Sequence, residues 1–175
     1  MSIRKWLLFC LLLTLFGSCS DSEHVRSAGE NSLIQVGDTL PAFSVTASDG
    51  SQYSNLSLKG SASVIVFFNT DCSDCRQELP QIEKAYKSFQ DNPDVKWLAI
   101  SREESSEAVS SYWATAGLDL PYSAQQDRKV YNLFASQDIP RIYIADRQGR
   151  VHFIYSDVEM PDENTFSEAV RACLP

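Results

Sequence analysis

The sequence predicts an α/β domain with a central sheet covered by helices, and three observations predict it. Val64-Ile65-Val66-Phe67-Phe68 is an unbroken β-branched and aromatic run, the pattern of a strand buried on both faces. Val95–Ile100 repeats it. Between them, Leu79, Ile82, Tyr86 and Phe89 recur at helical spacings of three and four. A strand, a crossover helix and a second strand of this kind lie parallel and adjacent, because such crossovers are right-handed.

The other elements follow in order. Phe43–Thr46 and Gln52–Ser54 flank Asp49-Gly50, a hairpin turn signal. The helix Arg76–Phe89 contains Pro80, which lacks an N–H and predicts a kink. Ser105–Ala116 is a helix with Ala108, Val109, Tyr112 and Trp113 on one side, stopped by Gly117. Asp127–Phe134 reads as a shorter helix turning Val130, Leu133 and Phe134 inward. Ile139-Pro140 precedes the strand Ile142–Ile144. Arg147–Gly149 then turns the chain into the antiparallel strand Val151–Ile154, and Asp162–Ala172 is the last helix.

The 175 residues make one ordinary domain plus a leader. A net charge of −8 without a Lys/Arg stripe excludes nucleic acid as a partner. No apolar run is long enough to span a bilayer. Residues 1–18 have the shape of a secretory signal: Arg4 and Lys5, the apolar run Trp6–Phe16, then small residues. Cys19 directly after Gly17-Ser18 resembles a bacterial lipobox, with Phe16 where Leu is usual. That resemblance implies cleavage before Cys19, lipid on Cys19 and loss of Cys10 with the signal. Residues 19–32 read as a flexible polar tether in which His24 is solvated, and residues 33–175 as the folded domain.

The chemistry is concentrated at Cys72-Ser73-Asp74-Cys75, where the first buried strand meets the helix. The free N–H groups of a helix start stabilise negative charge on the first sulfur. Cys75, one turn in and more buried, is placed to resolve a mixed disulfide made by Cys72. Other readings of the pair are weaker. Half a zinc site lacks its second Cys pair. A structural disulfide closing so short a loop removes little chain entropy. Idle thiols are unusual in an exported chain.

With Ile139-Pro140 downstream, these residues resemble the thioredoxin fold. Val36-Gly37-Asp38, Leu40-Pro41-Ala42-Phe43, Leu58-Lys59-Gly60, Cys75–Pro80 and Ile142–Val151 resemble its exported, membrane-tethered TlpA/ResA branch, within the redoxin superfamily. The resemblance implies a three-layer sandwich with helices on both faces of a mixed sheet and an added N-terminal β-hairpin. It implies a cell-envelope thiol-disulfide oxidoreductase, usually a reductant, with no cofactor beyond the Cys72/Cys75 disulfide and no metal. Its partners would be protein thiols and disulfides and a membrane electron donor, and a monomer is expected. Pro140 matches the family's cis-proline, which would expose the Ile139 backbone to an extended substrate. Glu78 stands where the family carries a Glu near the disulfide, a group able to move a proton. The plainer reading of Glu78 is a first-turn Glu favoured by the helix dipole.

Three positions depart from the pattern: Asp71 replaces Trp, Asp74 replaces Pro, and Arg141 replaces the Thr after Pro140. Carboxylates flanking Cys72 disfavour a thiolate and so lower the reduction potential. Arg141 offsets this if it points at the pair. Alternatively, Asp71 caps the helix and Arg141 faces water. Cys173 reads as a small buried hydrophobe, and His152 as structural. Competing functions stay open. A peroxidase on this fold needs Pro-x-x-x-Thr-x-x-Cys, but position 69 is Asn. A copper module wants CxxxC and a downstream His. A non-catalytic binding lipoprotein remains a further alternative.

Overall fold

The computed structural model describes residues 29–174. The signal, Cys10, Cys19 and His24 lie outside the described residues. A mixed five-stranded sheet has the order β5-β4-β3-β6-β7. Its centre is β3 (Ala62–Phe68), which runs parallel to β4 (Val95–Ser101) and antiparallel to β6 (Arg141–Ala145). Edge strands are β5 (Tyr122–Ser123) beside β4 and β7 (Val151–Ser156) beside β6. The expected N-terminal hairpin is present as β1 (Ser44–Thr46) and β2 (Gln52–Ser54), paired through Val45↔Tyr53.

Every residue of β3 is buried, which is why it reads as a continuous apolar run rather than an alternating one. Alternation shows instead in which partner each side chain meets. Phe68 packs on Trp113 of α2 (Ser106–Ala116). On the same face Trp97 meets Tyr86 and Phe89 of α1 (Ser73–Phe89) and Phe166 of α3 (Glu163–Ala172). Phe67 points the other way, into Tyr131, Phe134 and Tyr143. That face is covered by a 3-10 turn, Tyr131–Leu133, and by Phe43.

The helix expected over Asp127–Phe134 is therefore a single 3-10 turn. Tyr131 is its buried residue, and Leu133 is exposed. Val130, Leu133 and Phe134 mimic helical spacing, whereas a 3-10 turn repeats every three residues. Helix α1 runs unbroken through Pro80. In α2, Val109 and Trp113 are buried and Ala108 is exposed. Gly117 ends α2 in the left-handed conformation at φ 66°, and its N–H donates to the Trp113 carbonyl. The folded part also begins earlier than residue 33. Ser32 bridges Ala135, and the Leu33 amide donates to the Phe134 carbonyl at 2.7 Å. Cys173 is buried at the end of α3, and burial raises its thiol to about 11. His152 Nε2 lies 2.8 Å from Asp146 Oδ2.

Candidate active site

Strand β3 delivers the chain to the site. Four residues, Asn69–Cys72, then separate it from α1. Asn69 organises this link: its carbonyl accepts from the Cys72 amide at 3.1 Å and its Oδ1 from the Asp71 amide at 2.8 Å. Its Nδ2 donates to the Arg102 carbonyl at 3.0 Å. The buried carboxylate of Glu104 accepts from the Thr70 amide at 2.9 Å and from the Thr70 hydroxyl. Arg76 Nε donates to the Thr70 carbonyl from the helix side. The link is thus held by Arg102 and Glu104, just past the end of β4 that pairs with the end of β3, and by Arg76 of α1.

Cys72 itself caps α1. Its backbone is extended, and its Sγ accepts from the Cys75 amide at 3.3 Å. Asp71 is therefore not the cap. Its side chain is 94% exposed and pairs with Arg76 at 3.3 Å. Water and that cation both screen Asp71 from the sulfur. Cys72 is half-buried and Cys75 wholly buried, and both are free thiols. Burial, and next the hydrogen bond with Cys72, push the Cys75 thiol far above its ordinary value. Glu78 lies one turn further along α1, 4% exposed, and burial raises its carboxyl to about 7.

The facing wall is the loop entering β6. The Ile139-Pro140 peptide is cis. The Ile139 carbonyl lies 3.5 Å from the Cys72 Sγ, which donates to it. Cys72 and Ile139 both line a groove of about 670 Å³, together with Arg102, Arg128, Asp138 and Asp157. Arg141 neither faces the pair nor reaches water. It is fully buried, opposite Phe67 in the ladder, and donates to the Gln137 carbonyl at 3.2 Å. Tyr131 braces the same loop, donating to the Asp138 carbonyl at 2.7 Å, with the guanidiniums of Arg102 and Arg128 4.6 and 5.0 Å from its ring centre.

Cys72 and Ile139 therefore meet at one groove, Pro140 follows Ile139 through the cis bond, and the buried Cys75 and Glu78 lie behind on α1. The supports Asn69, Glu104, Arg102 and Tyr131 were not singled out from sequence. The one signal that could have found Glu104 is its position after a buried parallel strand, where such sheets place their sites. Among the described residues no group of three or more His, Cys, Asp or Glu converges as a metal site would require.

The comparisons agree with this geometry. The chain is 24% identical over 141 residues to "Thiol-disulfide oxidoreductase ResA" of Bacillus thuringiensis (strain Al Hakam), covering 81% of each chain. It is 29% identical over 154 residues to "Thioredoxin-like protein YneN" of Bacillus subtilis (strain 168), covering 87% of this chain and 90% of that one. In fold it resembles the solution structure of a putative protein disulfide isomerase from Bacteroides thetaiotaomicron. There the TM-score is 0.76 at 24% identity, over 82% of this chain and 92% of that one. A strand-to-helix dithiol facing a cis-proline loop, in a chain with these relatives, makes this a thiol-disulfide oxidoreductase of the thioredoxin fold. The AhpC/TSA family model matches residues 36–154, and the chain belongs to that family.

Proposed function

We propose that the protein is a cell-envelope reductant of protein disulfides, working through a Cys72/Cys75 dithiol-disulfide cycle. One observation carries this reading: the half-exposed Cys72 sulfur lies at the groove, facing the Ile139 carbonyl at 3.5 Å, while Cys75 is sealed behind it. Cys72, as thiolate, attacks one sulfur of a substrate disulfide. A Cys72–substrate bond forms, and the other substrate sulfur leaves and takes a proton. Cys75 loses its proton and attacks the Cys72 sulfur. The second substrate sulfur leaves and takes a proton, and the Cys72/Cys75 dithiol, now a disulfide, has given up two electrons. Glu78, its carboxyl raised to about 7, is suited to accept the Cys75 proton. The Ile139 backbone, which lines the groove, pairs with an extended stretch of the substrate.

The reducing direction is supported by the resemblance to the exported TlpA/ResA branch, whose members are usually reductants. No cofactor other than the two sulfurs takes part, and a membrane electron donor regenerates the dithiol. Lipid on Cys19 holds the domain at the membrane, and the protein works as a monomer. Ten residues from Cys19 to Gly29 reach at most roughly 33–36 Å, so this anchor keeps the groove near the bilayer surface.

The test is to express Cys75→Ser in the native envelope and trap partners with acid and alkylation. Mixed disulfides through Cys72, absent in Cys72→Ser/Cys75→Ser, are expected. Trapping through any other cysteine, or none, would remove Cys72 from the attacking role.

A further inference from the structure

Residues 29–32 precede every strand and helix of the described residues, yet they are fastened to the loop that presents Ile139. Asn31 Nδ2 donates to Asp138 Oδ2 at 2.8 Å, and the Ser136 amide donates to the Asn31 carbonyl at 2.9 Å. Ser32 bridges Ala135, and its hydroxyl lies 2.8 Å from the Tyr143 hydroxyl. Arg141 joins both segments from beneath. One guanidinium nitrogen donates to the Glu30 carbonyl at 2.9 Å and to the Gln137 carbonyl at 3.2 Å, and lies 3.7 Å from Asp138 Oδ2. A guanidinium this buried needs partners, and here its partners bind two segments more than a hundred residues apart in the chain.

Backbone conformation marks the same contact. Only Asn31, Glu103 and Asp138 among the described non-glycine residues have positive φ, at 63°, 61° and 70°. Glu103 and Asp138 line the groove, and Asn31 holds Asp138. Side-chain bonds that lock such conformations fix a loop more tightly than its own propensity does.

We propose that Asn31 and Arg141 are positioning residues for polypeptide substrates: with residues 29–32 as a strap, they hold the Gln137–Ile139 backbone in register for an extended chain approaching Cys72. The idea rests on the reading in which the Ile139 backbone pairs with substrate. A small disulfide has no strand to pair and needs Cys72 alone. The strap therefore acts on KM for polypeptide disulfides and leaves the intrinsic reactivity of the sulfurs untouched.

The test uses the full-length chain in detergent micelles, with Asn31→Asp placing a second carboxylate against Asp138. Two substrates are compared, an extended peptide carrying a disulfide and a small symmetric aromatic disulfide. For the peptide, KM should rise about fivefold or more while kcat changes less than about twofold. The rate with the small disulfide should stay within about twofold. The swap Asn31→Asp/Asp138→Asn rebuilds the hydrogen bond with donor and acceptor exchanged, and should restore KM for the peptide. Asn at 138 tolerates the left-handed backbone. Arg141→Lys keeps the charge without the fork and should show the same split between substrates. An equal loss on both substrates, an unchanged peptide KM, or no recovery in the swap would each overturn the proposal. Failure of the underlying reading looks different: the unsubstituted protein would then show no saturable preference for the peptide.

Discussion

The two walls of the groove are built in opposite ways. The Cys72 wall comes from one stretch of chain, with β3, the Asn69–Asp71 link, the Cys72 cap and α1 following one another directly. The Ile139 wall is assembled from a distance. Residues 136–139 are held by Tyr131, by Arg141 in the sheet and by Asn31 near the chain start. The difference separates reactivity from recognition. What makes the sulfur attack is local to a helix start, whereas what aligns a substrate depends on packing between remote segments.

The sharpest way to break the comparison is at the sulfurs. Cys72→Ser should lower disulfide reduction by about a thousandfold or more, because a hydroxyl is a far weaker nucleophile than a thiolate. Insulin reduction monitored by turbidity checks this, and residual turnover would shift attack to Cys75. Glu78→Gln comes next, with a loss of about tenfold or more above pH 7. Its stability effect has a definite sign. The folded carboxyl titrates at about 7 against 4.5 normally. Between these values the folded state keeps a proton that the unfolded state has lost, so stability falls as pH rises from about 4.5 to about 7. Glu78→Gln should flatten that fall, by on the order of 3 kcal/mol at pH 8 in urea titrations.

A smaller effect is expected where the local wall leans on a neighbour. Glu104→Ala frees the Thr70 amide and hydroxyl and should cost about 2 kcal/mol of unfolding free energy. An unchanged urea midpoint would show that the link holds itself. The smallest effect belongs to Asp71→Asn. Because that carboxylate is 94% exposed and paired with Arg76, the reduction potential should move by no more than about 20 mV. A larger shift would restore the flanking carboxylate as a control on the pair.

Legibility in the sequence follows the same division. The buried runs of β3 and β4, the helical spacing of α1 and the Cys pair between them can be read because neighbours in sequence are neighbours in space. Ile139-Pro140 was legible through its place before a strand and its family resemblance. Arg141 was not: a guanidinium after Pro140 reads equally as facing the sulfurs or facing water, and only its register opposite Phe67 puts it in the interior. Asp71 read as a cap because Asp is a favoured cap type, but the Cys72 sulfur occupies that role. Residues 30–32 look like tether because their composition is polar, and the contacts that dock them reach across the whole domain.

The central claim is that the Cys72/Cys75 pair works as a reductant. Equilibrating the full-length protein in thiol-disulfide buffers and reading the alkylated fraction of the Cys72/Cys75 peptide by mass measures this directly. A potential at or below about −270 mV, the thioredoxin value, is expected. A potential of roughly −120 to −180 mV, in the range of oxidants and isomerases, would contradict the account and recast the protein as a donor of disulfides.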